Sequence, residues 1–210
     1  MTSSRPPRLA PRKQPRQARS AATLEAVFEA CIQVLRAEGL ERLTTTRVAE
    51  RAGVSVGSLY QYYPNKEALL AAVLARHLEE VARAVERTCQ AHHGSTLQML
   101  VDAVVTAFVS AKMARPEVSQ ALYAPAAELG GMAVVSALTH RVQHVAAAAL
   151  ASVSDVRLAH PEVCASMLLH AAVGPMQAVL EAGPTPARVA ELHAQLVALG
   201  LAYLRSQATP

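Results

Sequence analysis

The chain has 210 residues, enough to bury the core of one or two domains. Apolar residues at 52% exclude a disordered chain, and aromatics at only 3% with no Trp leave a core of Leu, Val and Ala, which favours helices. Formal net charge is +4, yet Arg5, Arg8, Arg12, Lys13, Arg16 and Arg19 lie in a first stretch of twenty residues without an acid, which leaves −2 for the rest. The basic excess therefore belongs to a terminal arm, suited to phosphates, to an anionic surface or simply to solubility. Cys31, Cys89 and Cys164 are far apart and odd in number, which excludes a disulfide framework or zinc module and fits reduced thiols in a cytoplasmic protein. No apolar run of signal-peptide length follows the basic start.

In chain order, residues 1–18 are rich in Pro and Arg and have no apolar period, so they read as a disordered basic arm. A helix is predicted over 20–38. Leu24, Val27, Phe28, Cys31, Ile32 and Leu35 form its apolar stripe, Ser20 can cap its start, and Gly39 supplies the left-handed residue that ends it. A short helix fits 46–52 behind a threonine cap, with Val48 and Ala52 on one side and Ala49 small enough for a close crossing. Gly53 turns the chain, Val54 plugs the turn, and Ser55 caps a helix over 56–62 anchored by Leu59. Asn65 can cap a long helix from Lys66 to about Thr88, striped by Leu70, Val73, Leu74, His77 and Val81. Five more helices are predicted at about 95–113, 116–129, 131–152, 160–181 and 185–206, separated at Pro116, Gly130-Gly131, Pro161 and Gly183-Pro184. The fold class is all-α with about nine helices. An N-terminal three-helix helix-turn-helix domain (19–65) follows the arm (1–18), and a long helix joins it to a C-terminal helical bundle (66–210).

Two short helices around a Gly-containing turn have the helix-turn-helix layout, in which the second helix enters a major groove and its first residues reach base edges. Ser55 opens that surface. Val56, Gly57 and Ser58 are short, so the backbone can approach the groove floor; Val56 can touch a thymine methyl and Ser58 can bond a donor or an acceptor. Tyr60, Gln61, Tyr62 and Lys66 extend the surface with groups suited to phosphate oxygens, and Thr45 and Thr46 sit across the turn. The alternative is a purely structural role: Leu59 and Tyr63, with Tyr60 in part, as core, and Tyr62 and Lys66 as ordinary surface.

The run from Leu43 through Leu70, T-T-T-R-V-A-E-R-A-G-V-S-V-G-S-L-Y-Q-Y-Y-P-N-K-E-A-L-L, resembles the DNA-binding domain of the tetracycline-repressor (TetR) family. The likeness extends over residues 20–75. It implies that Thr45, Tyr60, Tyr62 and Lys66 hold phosphates and that Thr46, Val56, Gly57, Ser58 and Gln61 face bases or the adjacent backbone. Thr46 stands where some members carry a longer, base-reading side chain. The resemblance also implies dimerisation and small-ligand binding in residues 66–210.

Two helices there have broad apolar faces. Val163, Met167, Leu168, Ala171, Pro175 and Val179 line one; Val189, Leu192, Leu196, Leu199, Leu201 and Leu204 line the other. Contributed by two subunits, they would form a four-helix, two-fold interface; the alternative is that they complete the monomer core. Residues 163–180 carry no Asp, Glu, Lys or Arg, but Ser166, His170, Gly174, Pro175 and Gln177 favour a helix buried in protein over one in lipid. Phe108, Met113, Tyr123, Met132, Met167 and His170 are the candidate pocket residues, against a plain role as core. His140 and His144 are one turn apart, without the glutamate of a zinc-hydrolase helix, so no metal is expected. No P-loop, G-x-S-x-G or dinucleotide fingerprint occurs, so neither an enzyme nor a cofactor is expected.

The expectation is a homodimeric, ligand-responsive repressor in the cytoplasm. It would bind a near-palindromic double-stranded operator and be released by a small apolar effector. The alternatives are a small-molecule sensor or carrier with vestigial DNA binding, an activator on the same fold, and a helical enzyme.

Overall fold

Local chemistry punctuates this chain clearly. Gly39, Gly53 and Gly183 all take positive φ, and each stands just past or near a helix end. The computed structural model describes residues 18–122 and 132–209, with side chains over 22–122 and 135–209. The predicted arm (save Ala18), Tyr123, the second half of the predicted 116–129 helix and the Met132 side chain lie outside the described residues.

Among the described residues there are nine helices: α1 (Ala18–Glu38), α2 (Thr45–Ala52), α3 (Val56–Tyr62), α4 (Lys66–Ala91), α5 (Leu97–Met113), α6 (Pro116–Ala121), α7 (Met132–Ala151), α8 (Pro161–Glu181) and α9 (Pro186–Ser206). The all-α expectation holds. A two-residue antiparallel pair went unforeseen: β1 (Arg157–Leu158) beside β2 (Ala208–Thr209), with Arg157 opposite Thr209. Ser20, predicted at the start of this helix, lies inside α1.

The described residues divide into two compact units. The first holds α1 to α3 and α4 through Arg76, with the ends of the 121–134 stretch. Here α2 packs on both α1 and α3. Val27 and Cys31 of α1, Val48 and Ala49 of α2, and Leu59 of α3 are essentially sealed from solvent. Each large aliphatic group so buried contributes about 1.5–3 kcal/mol, which fixes three short helices that would not hold alone.

The second unit comprises His77–Gln120 and residues from Val135 onward. Its core gathers Val85 and Cys89 of α4, Leu100 and Val101 of α5, Leu150 of α7, Cys164 of α8 and Leu204 of α9. Helix α9 packs on α5 and α8. Gly200 permits the α5 crossing, since a Cβ there would come within 3.1 Å of Val101 Cγ1. Asp155 Oδ1 accepts from the Leu97 N–H at 2.8 Å and ties the loop after α7 to the start of α5.

The terminal helices correct one expectation. Leu192 and Leu196, predicted at the subunit interface, are each only 6% exposed within a single chain and complete its core. The apolar stripe of α9 is wide enough to be buried at these positions while leaving Leu199 47% exposed. Helix α8 behaves oppositely. Its most apolar window has mean hydropathy 1.6, long and apolar enough to cross a membrane by length and composition, yet only 22% of that window is buried. The single chain thus leaves largely uncovered a helix predicted to be buried in protein. Val163, Met167, Ala171 and Pro175 are exposed, and Val179 is half-buried.

Candidate nucleic-acid interface and effector cavity

The helix-turn-helix is built from backbone hydrogen bonds that its own side chains complete. Thr44 is extended and caps α2, its Oγ1 accepting from the Arg47 N–H at 3.2 Å. Gly53 ends α2 at φ 67°, ψ 30°, and the Val54 N–H reaches back to the Ala49 carbonyl at 3.0 Å. Ser55 caps α3, its Oγ accepting from the Ser58 N–H at 3.0 Å. The Ser55 and Ser58 hydroxyls also bond each other at 2.7 Å, so Ser58 begins with a partner. Asn65 caps α4 through Oδ1, which accepts from the Ala68 N–H at 2.7 Å. Lys66 therefore occupies the first position of a 26-residue helix, where the dipole favours anions.

The predicted contact residues divide by exposure. Thr46, Ser55, Gly57, Tyr60 and Gln61 are exposed; Val56, Ser58, Tyr62 and Lys66 are half-buried. Thr45 differs from all of them. It is only 6% exposed, and its Oγ1 donates to the Tyr60 hydroxyl at 3.1 Å. A threonine hydroxyl carries one proton, so Thr45 cannot hold a phosphate while making this bond. The Tyr60 hydroxyl, accepting from Thr45, keeps its own proton for an outside acceptor.

Other groups of this unit make contacts within it. Tyr63 is buried, stands 6.0 Å from the Phe28 ring and has its hydroxyl pKa pushed up to about 12 by burial. The Arg76 guanidinium lies 5.5 Å over that same Phe28 ring. Arg47 pairs with Glu38, and Arg51 donates to Gln33 Oε1 at 2.8 Å, which holds two α2 cations against α1.

The C-terminal unit contains an apolar cavity of about 120 Å³. Val85 and Cys89 of α4, Val105 and Phe108 of α5, Leu168 of α8, and Leu196 and Leu199 of α9 are in its wall. Of the predicted pocket residues with described side chains, Phe108 alone lines it. Met113 is half-buried away from it, and Met167 is 55% exposed. His170 is exposed, its Nδ1 bonded to the Ser166 carbonyl of its own helix at 2.7 Å. Selecting large or polarisable side chains missed a cavity made of plain aliphatic ones. The available signal was the small Ala146, Ala165, Ala172 and Gly200 on helices otherwise rich in leucine.

Residues 27–73 match the family model described as bacterial regulatory proteins, tetR family. Residues 96–204, more than half the chain, match the tetracyclin repressor-like C-terminal domain. The chain belongs to the TetR family. The HTH-type transcriptional repressor DrrR1 of Streptomyces coeruleorubidus is 48% identical over 54 residues, which are 26% of this chain and 20% of that protein. The tetracycline repressor protein class C of Escherichia coli is 47% identical over 49 residues, 23% of this chain and 22% of that protein. The chain thus aligns with about a fifth of these relatives' length. In fold, a TetR-family regulator from Mesorhizobium loti superposes with a TM-score of 0.74 at 17% identity, covering 92% of this chain and all of that one. The structure of a SmeT–triclosan complex gives 0.67 at 19% identity, covering 87% and 91%. TetR-family members are transcriptional regulators with a DNA-binding helix-turn-helix, not enzymes.

Proposed function

We propose that this TetR-family protein is a homodimeric, one-component repressor that binds a near-palindromic operator and releases it on binding a small apolar effector. The observation that carries the reading is the outward tip of α3. There Ser55, Gly57 and Gln61 are exposed beside Tyr60, whose hydroxyl is oriented as a donor by Thr45. Phosphate oxygens only accept, so Tyr60, Tyr62 and Lys66 supply backbone contacts, while Thr46, Val56, Gly57, Ser58 and Gln61 face the groove. Thr45 serves this surface indirectly, through Tyr60.

The uncovered apolar residues of α8, Val163, Met167, Ala171 and Pro175, together with the exposed Leu199 of α9, support dimerisation through a four-helix interface. A two-fold dimer places two α3 helices about one turn of B-DNA apart, roughly 34–36 Å. An effector in the C-terminal unit would move α4 and change that spacing. Linkage requires operator and effector to weaken each other equally. The relatives named as repressors support the sign of regulation.

The test is the double substitution Tyr62→Ala with Lys66→Ala, with the DNA upstream of the gene as probe. Loss of binding with helicity and dimer intact is the expected result. Undiminished binding would show that this surface does not meet DNA.

A further inference from the structure

We propose that the C-terminal cavity takes a neutral ligand about the size of one benzene ring, selected by shape and dispersion rather than by charge or hydrogen bonds. The inference rests on the reading of this unit as the effector domain, and it names the chemistry of the effector.

Size comes first. The cavity measures about 120 Å³. An apolar protein cavity of roughly 150 Å³ stays dry and admits benzene. A single ring with little substitution therefore fills the space, which opens to solvent beside the half-exposed Leu199.

The wall then excludes polar recognition. Among the described residues it contains no Asp, Glu, Lys, Arg, His, Asn, Gln, Ser, Thr or Tyr, and the Cys89 thiol is the most polar side chain of these. Burial, with Glu86 adding to it, pushes that thiol up to about 11, so it stays neutral and offers only a weak donor. Among the described residues no buried side-chain nitrogen or oxygen lacks a hydrogen-bond partner. Nothing polar in the described interior waits for a ligand. A carboxylate or ammonium placed here would lose its hydration without compensation, a cost far beyond what dispersion returns.

The cavity also has a cause. Ala146, Ala165, Ala172 and Gly200 face it where longer side chains would fill it. Gly200 cannot grow freely, because its Cβ would press on Val101. Phe108 is the one aromatic ring in the wall among the described residues, and a ring edge or face against it favours an aromatic guest over a saturated one of the same volume.

The experiment follows thermal unfolding of the full-length protein with toluene, benzoate, benzylammonium and biphenyl as probes. Toluene at ten times its Kd is expected to raise Tm by about 3–6 °C. The two charged rings are expected to give no shift and biphenyl a smaller one than toluene; a biphenyl shift as large as toluene's would overturn the one-ring size. Ala146→Leu, or Ala172→Leu should the first fail to fold by circular dichroism, is expected to abolish the toluene shift. An equal shift with benzoate or benzylammonium, or none with toluene, would overturn the ligand class. Operator affinity measured alongside separates the two readings. A toluene shift without any change in operator binding supports the ligand class and overturns the effector role.

Discussion

Thr45→Val isolates the link between the buried threonine and the DNA surface. Valine matches threonine in shape, so the change removes the Oγ1 donor 3.1 Å from the Tyr60 hydroxyl and little else. Tyr60 is 42% exposed, so water replaces the lost partner in the free protein, and folding stability should fall by about 1 kcal/mol or less. On DNA the phenol must then hold its phosphate without a fixed orientation. One neutral hydrogen bond contributes about 1 kcal/mol, and a dimer carries two copies, so operator affinity should fall by about 2 kcal/mol, or roughly 30-fold. Tyr60→Phe removes the proposed phosphate contact itself and should cost more, since hydrogen bonds to charged groups contribute about 1.5–3 kcal/mol each. The cycle is decisive. In a Tyr60→Phe background, Thr45→Val should change Kd less than about twofold, because its only route to DNA is gone. Fluorescence anisotropy at fixed salt reads all four proteins. Additive losses, showing that Thr45 meets DNA by itself, would refute the indirect role, as would an unchanged Kd for Thr45→Val.

Gly53→Ala meets open space, so its cost is the left-handed backbone alone, about 1–2 kcal/mol by urea unfolding; a neutral result would mean that the turn relaxes. His77 is buried and bonds Ser119 at 3.0 Å, and burial, then Lys112 and Arg115, lowers its pKa from 6.5 to about 4. Unfolding therefore takes up a proton between those values, so stability should fall as pH drops from 6.5 to 4, by up to about 3 kcal/mol. His77→Gln should flatten that profile in urea melts, and an equally steep profile would assign the loss elsewhere. Val163→Asp with Met167→Asp adds charge to two side chains more than half exposed, so helicity should survive while sedimentation velocity shows monomer. A persisting dimer would place the interface on another face.

Most helix boundaries were legible because short-range chemistry sets them. Thr44, Ser55 and Asn65 accept the backbone hydrogen bonds that their positions implied, and Gly39 and Gly53 adopt the left-handed conformation their helices needed. The stripe of α4 was equally clear, with Leu70, Val73, Leu74, His77 and Val81 all buried. What escaped depends on partners distant in sequence. The β1–β2 pair joins residues about fifty positions apart and carries no hairpin signal. Leu192 and Leu196 share a stripe with Leu199, and periodicity cannot say which of them another helix of the same chain will cover. Thr45 carries the same hydroxyl as the exposed Thr46; only the packing of α2 on α3 turns it inward to Tyr60. The cavity is the hardest case, because the residues that create it are notable for the atoms they lack.

If two copies of α3 read DNA symmetrically, selection from random double-stranded DNA with the full-length protein will show it. An enriched near-palindrome is expected, its half-sites centred about one helical turn apart, roughly 10–10.5 base pairs or a small multiple. No enriched sequence, or an enriched site without two-fold symmetry, would contradict it.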